Sequence, residues 1–224
     1  RLYGFGEKTG IELGDEVEGL VPGIAWKEQT FEGDYWSLGD TINTSIGQGF
    51  MQVTPIQLCN ATAAVANGGT LYRPTLIHEI VNEQAQVVRG AQPAVVRKLP
   101  VDRAHLEGVR EGMRMNVDWH RDQTVKGLVA PRYDEAGNPI PGTEQFPLPP
   151  GIDAGVKTGT AEYDSAFVDD DGLLLKSHAW CAAFAPYNNP EICVLAFVEG
   201  GTASASVAAP VAAGMINAWF ARKR

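Results

Sequence analysis

The sequence predicts an α+β domain in which an antiparallel sheet is flanked by helices. Residues 154–162, 178–185 and 192–199 read as strands, because apolar and small residues alternate there and turn-forming residues bound them. The last two are joined across Pro186-Tyr187-Asn188-Asn189-Pro190, a link suited to an antiparallel hairpin. Helix-start signals precede apolar stripes of helical spacing at Thr54, Asp102 and Ser206.

The 224 residues amount to a single domain, or a domain with an appended subdomain, with room for a proper core. Hydrophobic residues make up 44% and charged residues 20%, beside 25 Gly and 14 Pro, which excludes a disordered or collagen-like chain. With 18 Lys and Arg against 27 Asp and Glu the net charge is -9, the wrong sign for neutralising phosphates, so no nucleic-acid partner is expected. Residues 200–221 form the longest uncharged apolar stretch, but Gly, Ser, Thr, Pro and Asn interrupt it too often for a membrane span. The chain begins at Arg1 without an initiator Met or a signal-peptide pattern, and the expectation is that further sequence precedes it.

Taken in order, residues 2–33 are rich in Gly and acidic side chains and read as loops with little regular structure. Thr54-Pro55 opens a helix, a capping hydroxyl followed by Pro at the first helical position, and Asn67-Gly68-Gly69 closes it. Its expected buried stripe is Ile56, Cys59, Ala63 and Ala66. Residues 76–81 and 86–89 read as a hairpin about Asn82-Glu83-Gln84-Ala85. Asp102 caps a second helix running towards Asp118, with Leu106, Val109, Met113 and Val117 inward. Six Pro among residues 131–150 predict a long, mobile insertion before the strands. Ser206 is expected to cap a final helix, with Pro210 in its first turn, Val211, Met215, Ala218 and Trp219 inward, and Arg222-Lys223-Arg224 where the helix dipole favours cations.

Most chemical signatures fail on their spacing. Gly6-Glu7-Lys8-Thr9 and Gly155-Val156-Lys157-Thr158 both lack the Gly before Lys that a phosphate-cradling loop needs. Asp169-Asp170-Asp171-Gly172 would put Phe167 and His178 at the end positions of a calcium loop. His78, His105, His120 and His178 are scattered, so neither a metal nor a cofactor is expected. Cys59, Cys181 and Cys193 include no C-x-x-C; Cys181 and Cys193 are expected near each other across the hairpin, as thiols. Asn43-Thr44-Ser45-Ile46-Gly47 lacks the first Gly of a nucleophile elbow. What remains is Lys157-Thr158-Gly159-Thr160-Ala161 on a predicted strand. K-T-G accompanies S-x-x-K and S-D-N in penicillin-binding proteins and class A β-lactamases. A lone triplet is weak, and the chain carries a second copy at Lys8-Thr9-Gly10.

The surroundings strengthen it. Gly4-Phe5-Gly6-Glu7-Lys8-Thr9-Gly10-Ile11-Glu12-Leu13, Ser45-Ile46-Gly47-Gln48-Gly49 with Thr54-Pro55-Ile56-Gln57-Leu58, Ala66-Asn67-Gly68-Gly69 and Tyr72-Arg73-Pro74 stand in this order. Lys157-Thr158-Gly159-Thr160-Ala161, then His178-Ala179-Trp180 with Phe184-Ala185-Pro186, follow them. In this order the motifs resemble the class B penicillin-binding proteins over nearly the whole chain, most closely the elongation type, penicillin-binding protein 2. No Ser is followed three residues on by Lys, or two residues on by Asn or Asp, so the family's nucleophile motif and second active-site motif are absent. Residues 1–224 are therefore expected to be the C-terminal portion of one transpeptidase domain of the penicillin-binding and serine β-lactamase-like fold, its N-terminal part absent, with a Pro-rich insertion at 131–150.

The resemblance implies a serine D,D-transpeptidase that cross-links peptidoglycan and is a target of β-lactams. It implies a D-Ala-D-Ala stem peptide as substrate, a membrane glycan polymerase as partner, and anchorage in the cytoplasmic membrane by a preceding helix, with the domain on the extracytoplasmic side. Acyl transfer needs a nucleophile, a base, oxyanion donors and an anchor for the terminal carboxylate. By resemblance Lys157 and Thr158 anchor the carboxylate, Gly159 lets the substrate backbone approach, and the Thr160 amide is one oxyanion donor. Neighbouring strand side chains point to opposite faces, so Lys157 and Thr158 reach one ligand only along an exposed strand edge. Lys8-Thr9-Gly10 matches a structural segment of the family. A non-catalytic sensor or scaffold of the same fold is the alternative reading.

Overall fold

The computed structural model describes residues 1–125, 148–162, 177–201 and 204–222. The insertion at 131–150 lies almost wholly outside them, as do the Asp169–Asp171 acidic run and the side chains of His120 and Ser206. The chain forms two compact units, Arg1–Val101 and Asp102–Arg224.

In the first unit the segment read as loop does contain a helix, α1 (Ile24–Thr30). Its Gly23 N-cap makes no side-chain bond, so its support is tertiary. The buried Lys27 amino group reaches Asp40 at 2.7 Å and Asp34 at 3.1 Å, and Trp26 packs against Phe31 and Phe50. The hydrogen bond from Lys27, with those from the Ser37 side chain and backbone, pulls the Asp40 carboxyl down to about 2. Asp40 also belongs to α2 (Leu38–Ser45), unforeseen above although Ser37-Leu38-Gly39-Asp40 forms a reciprocal capping box.

The helix α3 (Pro55–Ala66) starts at Thr54 as expected. Its buried positions, however, are Gln57, Ala61, Thr62, Ala64 and Ala66, and of the predicted stripe only Ala66 is fully buried. Hydrophobicity pointed to Ile56; the fold instead buries Gln57, whose amide donates to Glu7 O and Glu18 O at 2.8 Å while its oxygen accepts from Thr54 N–H. Strands β1 (Thr70–Arg73), β2 (Glu79–Val81), β3 (Val87–Gly90) and β4 (Ala94–Lys98) follow. The predicted hairpin is β2–β3, and β1 pairs antiparallel with β4. Ala64, Leu71 and Leu99 form the local core with Tyr3 and Val101 against them.

In the second unit α4 (Arg103–Val125) runs past the expected end. Asp102 accepts from Ala104 N–H at 2.8 Å. Leu106, Met113 and Val117 are buried as predicted, but Val109 is 53% exposed and Arg110 takes the inward position. Its guanidinium donates to Tyr187 O at 2.6 Å, binds Glu107 and lies over the rings of Phe184 and Tyr187, where its Nε has no hydrogen-bond partner among the described residues. A flat cation that can stack on rings replaces an aliphatic side chain there.

Strands β5 (Gly155–Glu162), β6 (Ser177–Ala185) and β7 (Ile192–Val198) form an antiparallel sheet in the order β5-β6-β7, matching the three predicted strands to within a residue at each end. The helix α5 (Ser204–Ala221) covers one face. Its start at Ser204 puts Ser206 inside the helix and Pro210 beyond the first turn, against expectation. The four residues predicted to face inward, Val211, Met215, Ala218 and Trp219, are all exposed. The inward face is Ala208, Ala209, Ala212, Ala213 and Ile216, which meets Val156, Ala179, Cys181, Ala183, Val194 and Ala196 of the sheet. Small side chains let helix and sheet approach closely, and that contact leaves no room for the large ones.

Candidate active site

The two Lys-Thr-Gly triplets stand in opposite surroundings. In the first, Gly10 adopts φ 77, a left-handed conformation, and the Glu16 carboxylate accepts from Thr9 N–H at 2.7 Å, Thr9 Oγ1 at 2.5 Å and Gly10 N–H at 3.0 Å. Partial burial pushes the Glu16 carboxyl up, but those three hydrogen bonds outweigh it and hold the group below its usual range. The Thr9 and Gly10 donors of this triplet are thus occupied from within the chain.

The second triplet lies on β5, the outermost strand of its sheet among the described residues. Gly155 just before it must be glycine, since a Cβ there would fall 2.4 Å from the Phe184 ring. Cross-strand partners share a face. Thr158 stands opposite Cys181 and Thr160 opposite Ala179, on the face that α5 covers; Lys157 stands opposite Ala182 and Gly159 opposite Trp180, on the other. Trp180 and Phe197 pack there with ring centroids 4.4 Å apart, and His178 lies 5.1 Å from Phe197. Lys157 is exposed, and its amino group bends round the strand to donate to Thr158 O.

The backbone direction follows from one bond. Asn116 of α4 donates through Nδ2 to Val156 O at 3.0 Å. In an antiparallel pair the N–H and C=O of one residue point to the same side, and the side alternates along the strand. Val156 therefore faces away from β6, and so do Thr158 and Thr160, while Lys157 and Gly159 pair with β6. The structure thus brings the Lys157 ammonium and the backbone groups of Thr158 and Thr160 to one strand edge, with a side-chain-free Gly159 between them, while the Thr158 side chain lies on the face that α5 covers. Thr158 Oγ1 has no hydrogen-bond partner among the described residues. Asn116 and Gly155 were missed, because neither belongs to a motif and Asn116 meets the strand only through the packing of α4.

Beneath the edge, burial pushes the Cys181 thiol up to about 12, against a small lowering by Lys157. Cys193 pairs with Phe184, on the opposite face to Cys181, so the expected proximity of the two fails: their strand positions differ in parity. No disulfide joins the three cysteines. Among the described serines, Ser37 Oγ is held by Asp40, Ser45 Oγ donates to Ile42 O, and the buried Ser177 Oγ donates to Gly201 O. Asp40, pulled down to about 2, is too weak a base to activate Ser37, and the other two hydroxyls donate only to backbone carbonyls. This edge can anchor a carboxylate and offer amide donors to an oxyanion, and it needs a nucleophile from elsewhere.

Residues 1–217 match the family described as the penicillin-binding protein transpeptidase domain. A peptidoglycan D,D-transpeptidase MrdA of Acinetobacter baumannii is 31% identical over 240 residues, covering 100% of this chain and 30% of that protein. Among solved structures, penicillin-binding protein 2 of Helicobacter pylori in complex with MreC is similar with a TM-score of 0.67 at 29% identity, over 99% of this chain and 34% of that one. Penicillin-binding protein A of M. tuberculosis, as an imipenem acyl-enzyme complex, is similar with a TM-score of 0.66 at 25% identity, over 98% and 40%. The chain spans about a third of the length of these relatives.

Proposed function

Since the chain belongs to the penicillin-binding protein transpeptidase family, with relatives of the penicillin-binding protein 2 type, we propose that it is the C-terminal portion of a peptidoglycan D,D-transpeptidase working through an acyl-serine intermediate. The observation that carries this reading is the second triplet's position on a strand edge that no other strand takes among the described residues, with the Lys157 side chain and the Thr158 and Thr160 backbone directed to it. In the proposed reaction a serine supplied by the preceding part of the domain attacks the carbonyl of the penultimate D-Ala. The carbonyl oxygen takes up charge beside the Thr160 amide, and the terminal D-Ala leaves as its amine with a proton from the base. An acceptor amine then attacks the acyl carbon, its proton passing by way of the base to the departing serine oxygen. Lys157 and Thr158 hold the terminal carboxylate until that D-Ala departs, as they would the carboxylate of a β-lactam.

The acyl-enzyme form of the M. tuberculosis relative supports the covalent route, and the MreC complex of the H. pylori relative supports a partner of that kind. The family resemblance supports a membrane glycan polymerase as a further partner and anchorage in the cytoplasmic membrane, with the domain on its extracytoplasmic side. Among the described residues no helix is long and apolar enough to cross a membrane.

Mass spectrometry after incubation with labelled penicillin tests the reading, on this chain and on the same protein extended through the preceding part of the domain. We expect an adduct on the extended protein alone. An adduct on the 224-residue chain would mean that the nucleophile lies within it, and no adduct on either would favour a non-catalytic module.

A further inference from the structure

We propose that Asn116 is a positioning residue that sets where the ligand-binding edge of β5 begins, and so the register in which a substrate docks; the inference rests on the transpeptidase reading above. Val156 O is the edge carbonyl immediately before the triplet, and Asn116 Nδ2 occupies it at 3.0 Å. An extended peptide adding to a strand edge pairs with whichever outward-facing residues it can reach, at intervals of two residues. On β5 these residues are Val156, Thr158 and Thr160. A slip of two residues towards Val156 would displace a bound peptide by about 6.8 Å, carrying its reactive carbonyl away from the Thr160 amide and its carboxylate away from Lys157.

Asn116 removes the pairing that such a slip needs. Its own place is rigid: the next residue, Val117, is fully buried in the core that joins the sheet to α5, and Met113 and Leu106 are buried along the same helix. At the other end Arg110 of α4 holds Tyr187 O, beyond β6. The helix therefore grips the sheet at two points, and Asn116 is the one that touches the strand bearing the triplet. The role needs a donor of that length: a leucine has its size without the N–H, a glutamine keeps the donor one methylene further out, and an aspartate would set a carboxylate against the carbonyl.

The test uses the full-length protein, a fluorescent penicillin, and separate measurement of the initial binding constant and the acylation rate constant, normalised to folded protein. Asn116→Leu is expected to slow acylation by up to about tenfold, the factor that one ordinary hydrogen bond corresponds to, with a smaller change in initial binding. Asn116→Gln is expected to recover most of the loss. A purely structural role would add independently to a defect at the edge, whereas a register role predicts that Asn116→Leu and Thr158→Val are non-additive. If Asn116→Leu does not fold, Asn116→Ser takes its place with the same expectations. Wild-type acylation in the Asn116 variant, with slowed acylation in Lys157→Ala, would overturn this inference and leave the transpeptidase reading standing. Wild-type rates in both would overturn the reading of the edge itself. Additivity with Thr158→Val would reduce Asn116 to a packing residue.

Discussion

Lys8-Thr9-Gly10 and Lys157-Thr158-Gly159 are one tripeptide in two surroundings. The first sits in a loop, with a left-handed glycine and a carboxylate that collects the Thr9 and Gly10 donors. The second lies on an extended edge strand, backed by a core of small residues, with its threonine hydroxyl unengaged among the described residues. What separates them is where the donors go. A triplet whose hydrogen bonds close upon the chain itself has its donors spent, whereas one whose backbone faces a strand edge has the geometry that an added peptide strand requires. Glu16 alone accounts for much of the contrast, since no carboxylate bonds Thr158 among the described residues.

Three measurements can break or sharpen the contrast. The largest expected effect is on the thiol beneath the second triplet. A pKa of about 12 for Cys181, raised from 9.0 by burial, means about a thousandfold less thiolate at neutral pH than in an exposed thiol. Cys59 and Cys193 are half-buried, and they should be modified by a thiol reagent in the native protein, with Cys181 following only on unfolding. Prompt native labelling of all three would show that the floor of β5 is loosely packed.

The next effect is on acylation of the full-length protein. Lys157→Ala and Thr158→Val should each slow acylation by a β-lactam by roughly 10- to 150-fold, about 1.5–3 kcal/mol for a hydrogen bond to a charged group, while Lys8→Ala should leave the rate unchanged. Equal rates for wild type and Lys157→Ala would erase the distinction between the triplets.

The smallest effect belongs to the first triplet. A carboxyl whose folded pKa lies below its unfolded value, about 4.3 for Glu, stabilises the fold above that value and loses its contribution as the pH falls towards the folded pKa. The Glu16 carboxyl is lowered in this way. Protection of the Thr9 and Gly10 amides from hydrogen exchange should therefore fade below about pH 4. Glu16→Gln should lower the melting temperature by a few degrees and flatten that dependence without altering acylation by the folded protein. Unchanged protection in Glu16→Gln would remove Glu16 as the reason for the contrast.

The inward faces of helices were read least well, for one reason in each case. On α5 the choice of Val211, Met215 and Trp219 ranked residues by hydrophobicity, whereas contact with the sheet selected Ala208, Ala209, Ala212 and Ala213 by size. On α4 Arg110 displaced Val109 because two rings and a carbonyl stood ready to receive its guanidinium. On α3 Gln57 was buried because two loop carbonyls needed a donor. In the last two the decisive partner lies many residues away in sequence, so no local pattern announces it.

By itself the sequence determined what depends on short-range chemistry: the capped start of α3 at Thr54, the period-two strands β5 to β7, the hairpin joining the last two, and the motifs that mark the family. Only the tertiary structure decided which copy of the triplet lies on a strand edge and which backbone groups of β5 face that edge. Alternation along a strand follows from covalent geometry, but the side on which it starts depends on which edge a neighbour occupies. Here β6 takes one edge of β5, and Asn116 of α4 takes Val156 O on the other.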